Sequence, residues 1–253
     1  MAKTVGMIFA AGRGTRLAPF TDTAPKALAP VNGVPMLEHV VKRLVGAGIT
    51  DIVVNVHHFA DQIVDFLKER HNFGARISIS DETVELLDTG GGIAEASRLF
   101  GDAEAVLVHN VDILSDVDLV AMLESHYAER NDATLLVSER LTSRYLCFDP
   151  EDRMTGWVNV KTHETLPPGF GWTDATASRR YAFGGIHVLS AKAIGALKEY
   201  GTERAFPIIP FYAAMCRRLT IRGYMPSAPY GWHDIGSPEK LAAANAAFNQ
   251  LKL

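Results

Sequence analysis

Val5-Gly6-Met7-Ile8-Phe9-Ala10-Ala11-Gly12-Arg13-Gly14-Thr15-Arg16-Leu17, with Pro25-Lys26-Ala27-Leu28 a short way downstream, is the stretch on which the reading of this chain turns. Its first half is a short apolar run ended by glycine, which predicts a buried strand over residues 5–10. Its second half is a Gly-x-Gly loop. Small residues there let an anion approach the main chain, successive backbone N–H groups can point at it, and Arg16 and Lys26 add fixed positive charge. The loop is not a Walker A sequence, which needs Gly-Lys-Ser/Thr, and it lacks the third glycine of a dinucleotide fingerprint. A phosphate-handling turn at the end of a first strand is the expectation.

Outward from that loop, Pro35 opens a helix in which Met36, Leu37, Val40, Val41, Leu44 and Val45 recur at the spacing of one buried face, before Gly46 and Gly48. The pattern then predicts strands at 51–56, 76–80 and 104–108, and helices at 60–71, 92–100 and 117–130, the second of these opened by Gly90, Gly91 and Gly92. A strand at 133–138 follows. Such alternation is the mark of βαβ units, so the fold class is α/β, a Rossmann-like doubly wound and mostly parallel sheet in one domain over 1–253. Residues 146–180 break the rhythm with Pro150, Gly156, Pro167, Pro168, Gly169 and Gly171, and predict an irregular or antiparallel insertion able to wall a pocket. Beyond it come strands at 181–189 and 220–225 and helices at 191–200, 208–218 and 239–251.

Composition narrows the function classes. Of 253 residues 47% are hydrophobic and 21% charged, with a net charge of −4. These values exclude a disordered or collagen-like chain. No Lys/Arg run supplies the phosphate neutralisation that nucleic acid demands, and no apolar run approaches the ~18 to 20 residues of a membrane span. Cys147 and Cys216 have no CxxC spacing, so a reducing, cytoplasmic setting is expected. His57, His58, His109 and His233 show no zinc spacing, and His109 reads as a core residue. Asp112 stands just past the apolar run Ala105-Val106-Leu107-Val108, where α/β sheets place their ligands. Asp116 and Asp118 read as helix caps.

Taken together, the pieces resemble the NTP:sugar-1-phosphate nucleotidyltransferase superfamily. Ala10-Ala11-Gly12-Arg13-Gly14-Thr15-Arg16-Leu17 with Pro25-Lys26 is similar to its signature. Thr89-Gly90-Gly91-Gly92, Asn110-Val111-Asp112, Phe183-Gly184-Gly185-Ile186 and Trp232-His233-Asp234-Ile235-Gly236-Ser237-Pro238 follow in the family's order. The Thr-Gly-Gly-Gly form and compact length resemble most the monofunctional uridylyltransferases acting on N-acetylmuramic acid 1-phosphate, with mannose-1-phosphate guanylyltransferases and glucose-1-phosphate nucleotidyltransferases close behind.

The resemblance implies a reaction of NTP with a sugar 1-phosphate to give NDP-sugar and pyrophosphate, with Mg²⁺ as cofactor. It implies that Ala10, Ala11, Gly12, Gly14, Thr15 and Arg16 meet the nucleotide phosphates, that Lys26 neutralises the α-phosphoryl group, and that Thr89, Gly90 and Gly91 meet the base. Asp112 and Asp234 would hold the metal, and Gly184 and Gly185 the sugar. Two departures stand out. Val111 occupies a position where the family has glycine, so the loop before Asp112 is expected to differ, because a β-branched residue disfavours positive φ. The family's Glu-Lys-Pro element is missing; Lys161, with Asn159, Trp157 and Trp172 about it, is the candidate for the second phosphate-contacting cation and the sugar pocket. No hexapeptide-repeat extension follows the last helix, which implies a monofunctional enzyme, either a monomer or a small homo-oligomer. Two rivals are a regulatory homologue that binds nucleotide without turnover, which would be expected to lose one of Arg16, Lys26, Asp112 or Asp234, and a dinucleotide-dependent oxidoreductase, which would need an acid where the second strand ends in Asn55-Val56.

Overall fold

The computed structural model describes residues 3–171, 179–201 and 203–252; Trp172 lies outside them. The first half runs β1 (Thr4–Phe9), β2 (Pro30–Val31), β3 (Val34–Pro35), α1 (Met36–Gly46), β4 (Asp51–Val56), α2 (Ala60–Glu69), β5 (Arg76–Asp81), α3 (Asp88–Ala96), β6 (Ala105–Asn110), β7 (Ile113–Ser115) and α4 (Leu119–Ala128). The second half continues with β8 (Ala133–Ser138), β9 (Arg144–Phe148), β10 (Met154–Asn159), β11 (Glu164–Leu166), β12 (Arg180–Ser190), α5 (Ala191–Tyr200), α6 (Ile208–Met215), β13 (Ile221–Tyr224), β14 (Trp232–Asp234) and α7 (Pro238–Ala247).

The strands join in the order β11-β10-β9-β12-β6-β1-β4-β5, with β8 against β12 and β13 against β8. The β6-β1-β4-β5 block is parallel throughout, as the βαβ rhythm requires. Because β4 lies on one side of β1 and β6 on the other, the chain reverses direction at β1 and opens a crevice at the carboxyl ends of β1 and β6. Side-chain alternation along these strands feeds two cores. Ile8, Ile52, Val54, Ala105 and Leu107 face α1, α2 and α4, whereas Val5, Met7, Val53, Val106 and Val108 face α3, α5 and α6. On α1 the predicted stripe is buried at Met36, Leu37, Val40, Val41 and Leu44, each Leu contributing about 1.5–3 kcal/mol relative to exposure.

The stretch that breaks the βαβ rhythm is antiparallel. β9, β10 and β11 form a meander that extends the main sheet beyond β12. β12 itself is antiparallel to both β6 and β8. Between Phe183 and His187 it advances four residues while β8 moves only from Val137 to Leu135, so Gly184 and Gly185 bulge out of the ladder.

The third helix differs from expectation. The glycines do not precede it; they lie within its first turns, since α3 begins at Asp88. The reason is close packing. A Cβ on Gly91 would stand 2.0 Å from the Arg204 carbonyl oxygen, and one on Gly90 2.4 Å from the Phe206 ring. The free N–H groups of Gly90 and Gly91 both donate to the Phe206 carbonyl, at 2.8 and 3.1 Å, which closes the helix end.

Candidate active site

A cleft of about 550 Å³ opens at the carboxyl ends of β1, β4 and β6, lined by Gly12, Lys26, Glu82, Thr89, Asn110, Asp112 and their neighbours. Another, of about 610 Å³, lies at the opposite ends of the same strands, around Thr4, Asp51 and Tyr127, away from the glycine loop. In the first cleft the glycine loop, Lys26, Thr89 and Asp112 converge, whereas Arg16, Asp234, Gly184 and Gly185 lie outside its lining.

One wall is the loop after β1. Gly14 sits at φ +62°, a left-handed conformation that suits glycine, and a Cβ there would strike Lys26 Cβ at 2.8 Å. Thr21 Oγ1 and the Leu17 N–H both donate to the Gly14 carbonyl, so the turn is tied down from inside. Gly12, Thr15 and Arg16 face solvent. Ala10 and Ala11, by contrast, give their N–H groups to the Asn55 side-chain oxygen, at 2.7 and 3.2 Å. Asn55 in turn donates to Glu82 at 2.7 Å, and the other Glu82 oxygen accepts the Leu87 N–H at 3.0 Å. Asn55 and Glu82 are each only 2% exposed. Burial pushes the Glu82 carboxyl above its ordinary range, against the opposing pull of the Leu87 and Asn55 donors.

This buried bridge links the loop after β1 to the segment ahead of α3. Sequence reasoning missed it, although an Asn at a strand end and an acid just after the next strand were its available signals. At α3 the hydroxyl of Thr89 accepts the Ile208 N–H at 2.9 Å while Thr89 also lines the cleft. Gly90 and Gly91 are buried, with their N–H groups committed to Phe206.

The opposite wall brings together Asp112 and Asp234, distant in sequence. β7 and β14 pair antiparallel with Asp234 opposite Ile113, and the Ile235 N–H donates to the Asp112 carbonyl at 2.9 Å. Asp112 forms an ion pair with Lys26 in which both side chains are largely shielded, 20% and 13% exposed. Asp234 pairs with Lys240 and accepts the Gly236 N–H at 2.7 Å. Burial works to raise the Asp234 carboxyl, but the Lys240 and Gly236 donors and the charges of Lys240 and Lys26 hold it below its ordinary value. Arg16 reaches the same turn: a Cβ on Gly236 would lie 3.2 Å from its guanidinium.

Val111 is not strained. It keeps a negative φ and packs into the core below the cleft, so the loop carries Asp112 without a glycine. Gly185, in the β12 bulge, sits at φ +76° beside Asn110, and the Gly184 carbonyl accepts Trp232 Nε1 at 2.8 Å. Asn159 ends β10, two strands beyond β12, where its Oδ1 accepts the N–H of the exposed Lys161. Neither residue lines the cleft. Asp118 caps α4 as expected, whereas Asp116 accepts the Gly231 N–H and holds the segment leading to β14.

A nucleotidyl transferase family profile matches residues 5–250. The chain belongs to the nucleotidyl transferase family. Two relatives match almost end to end: the N-acetylmuramate α-1-phosphate uridylyltransferases of Caulobacter vibrioides, 32% identical and covering 97% of each chain, and of Neisseria meningitidis, 43% identical over 95% and 96%. A mannose-1-phosphate guanylyltransferase of Mycobacterium tuberculosis is 32% identical over 95% of this chain but only 63% of its own length. Two solved structures share the fold at low identity. HddC from Yersinia pseudotuberculosis superposes with a TM-score of 0.75 at 21% identity, covering 97% and 99% of the two chains. A UDP-glucose pyrophosphorylase does so with 0.78 at 19%, covering 99% of each.

The residues fit the divalent ion that the family pattern implies, on the chemistry of the donor set. Asp112, in the turn before β7, and Asp234, at the end of the paired β14, offer hard carboxylate oxygens, and each already faces a lysine ammonium group. No cluster of three or more acidic, His or Cys side chains suited to a metal occurs among the described residues, so phosphate oxygens and water would have to complete an octahedral shell.

Proposed function

We propose that this member of the family transfers a uridylyl group from UTP to N-acetylmuramic acid 1-phosphate. The reading of the reaction class rests on family membership together with the meeting of the glycine loop, Lys26 and Asp112 at one cleft, with Asp234 held beside Asp112 by the β7–β14 pairing. The reading of the substrate rests on a single observation: the two relatives that match end to end share that activity by name, whereas the guanylyltransferase relative is a longer protein.

The chemistry asks little of covalent catalysis. An oxygen of the sugar phosphate attacks the α-phosphorus in line, the bond to the β-phosphate oxygen breaks, and pyrophosphate leaves, with inversion and no covalent intermediate. What the protein supplies is alignment and charge. Lys26, released from Asp112, neutralises the α-phosphoryl oxygens; at ~4 Å and an effective dielectric near 20, each unit of like-charge repulsion between the two phosphates would cost about 4 kcal/mol. Gly12, Gly14 and Thr15 offer open loop backbone to the phosphates, and Arg16 stands over the turn beside Asp234 to hold the β- and γ-phosphates. Asp112 and Asp234 would hold Mg²⁺, which when bound supplies Lewis-acid neutralisation of the phosphate oxygens. Thr89 lines the cleft where the base would lie, while Asn55 and Glu82 fix the loop and the helix entry relative to each other.

The test is a matrix of UTP, GTP, CTP, dTTP and ATP against muramic, mannose, glucose and glucosamine 1-phosphates, scored by pyrophosphate release. UTP with N-acetylmuramic acid 1-phosphate is expected to give the highest kcat/KM. A clear preference for GTP with mannose 1-phosphate would replace the substrate reading and leave the reaction class standing.

A further inference from the structure

The lysines beside the two acids are committed to them, Lys26 to Asp112 and Lys240 to Asp234. Arg140 is not. It lies between β8 and β9, and among the described residues it makes no ion pair. One guanidinium nitrogen donates to the Phe183 carbonyl at 3.0 Å, just ahead of the Gly184-Gly185 bulge, and the guanidinium carbon sits 4.3 Å from the centre of the Trp232 ring. Trp232 is itself pinned by its bond to the Gly184 carbonyl. Trp232 and Asp234 stand two residues apart on β14 and so share a face, and the Asp234 carboxylate acts electrostatically on Arg140. The neighbouring Leu141 is 91% exposed.

A stacked guanidinium with one of its five donors used is oriented before any ligand arrives, and its planar fork matches an oxyanion in a way a lysine does not. We propose that Arg140 binds an oxyanion of the acceptor sugar phosphate, with the Trp232 ring as the platform that holds the guanidinium in place. The assignment to the acceptor, not the nucleotide, follows from position: Arg140 is tied to β12 at the Phe183 carbonyl, beside the Gly184-Gly185 bulge and two strands from β1 and its glycine loop. It takes up the part expected of Lys161, which follows β10, two strands beyond β12, and is exposed. The inference rests on the sugar-phosphate transfer reading above. The oxyanion is either the phosphate or a carboxylate borne by the sugar, and two acceptors separate these sources.

The experiment compares wild type, Arg140→Ala and Arg140→Lys in steady-state kinetics, with N-acetylmuramic acid 1-phosphate and with N-acetylglucosamine 1-phosphate, which lacks the lactyl carboxylate. Arg140→Ala is expected to raise the acceptor KM roughly tenfold or more with the KM for UTP within about twofold of wild type, and Arg140→Lys to recover only part of the loss. A penalty confined to the muramic substrate identifies the carboxylate; an equal penalty on both identifies the phosphate. Should the alanine variant lose folding, judged by thermal denaturation, the lysine variant alone carries the comparison. An unchanged acceptor KM, or an equal rise in the KM for UTP, overturns the proposal. If wild type turns over only another sugar phosphate, the muramic reading fails while the same KM comparison on that acceptor still judges Arg140; if it turns over none, both fall.

Discussion

On the β1–β4–β5 side of the cleft, the structure prepares backbone. Loop, strand and helix entry are locked by Asn55 and Glu82, two buried polar residues whose hydrogen bonds run inward, and the open surface is left to Gly12, Gly14 and Thr15. On the β6–β12–β14 side it prepares charge. Asp112, Asp234, Lys240 and Arg140 stand there, Lys26 and Arg16 reach it from the segment after β1, and the local scaffold is a pair of three-residue strands and a glycine bulge. The difference teaches that a wall which reads a ligand through main chain can be written in one contiguous motif. A wall that reads through side chains must be assembled by tertiary pairing.

The comparison breaks first at Lys26. Lys26→Ala is expected to lower kcat roughly 100- to 1000-fold, as for loss of one group that stabilises developing charge, with little change in thermal midpoint. Near-wild-type pyrophosphate release would mean that the charged wall is merely structural. Asn55→Ala tests the other wall. It strips the partner from the Ala10 and Ala11 N–H groups and from Glu82, so urea denaturation is expected to show a loss of about 2–4 kcal/mol together with a raised KM for UTP. Stability loss with an unchanged KM would separate the bridge from the nucleotide.

Acid sensitivity belongs to three buried histidines, His187 on β12, His126 on α4 and His109 on β6, the last also held down to about 4 by burial. Burial holds His187 down to about 3 and His126 to about 4, His187 donating or accepting at Tyr212 and His126 at Thr134. Their folded values lie below the unfolded one near 6.5, so their neutral forms cost nothing above that pH, and stability is lost as pH falls from about 6.5 toward 4. The slope is about 1.4 kcal/mol per pH unit for each imidazole. His126→Asn should flatten the curve of thermal midpoint against pH; an unaltered slope would remove His126 from the account. The smallest effect is set for Gly185→Ala, where φ is +76° and the new Cβ would stand 2.9 Å from Ile113 and 3.1 Å from Asn110. A cost of about 1–2 kcal/mol is expected, with acceptor KM moving before that for UTP.

Much of the fold could be read from the chain because its strands and helices each carry a simple period. The strands Asp51–Val56 and Ala133–Ser138 and the helix Ala191–Tyr200 fall where their apolar patterns place them. The start of α3 could not, because glycine marks a loop in local terms and only the approach of Arg204 and Phe206 explains why three of them lie inside a helix. Likewise β14 is a three-residue strand with no period of its own, called into being by pairing with β7. Arg16, Lys26, Asp112 and Asp234 were legible through their motifs, and Trp232 stood inside one without its part being legible, whereas Asn55, Glu82 and Arg140 find their partners far along the sequence and carry no motif.

The most direct test of one shared charge centre is a double-mutant cycle on kcat with Asp112→Asn and Asp234→Asn. Because Asp112 in the turn before β7 is held by the backbone beside Asp234 at the end of β14, the account predicts that each single variant loses most of its turnover and that the double variant is scarcely slower than the worse single one. Losses that multiply, or a single variant that keeps the wild-type rate, would show that the two acids do not serve the same reacting phosphate.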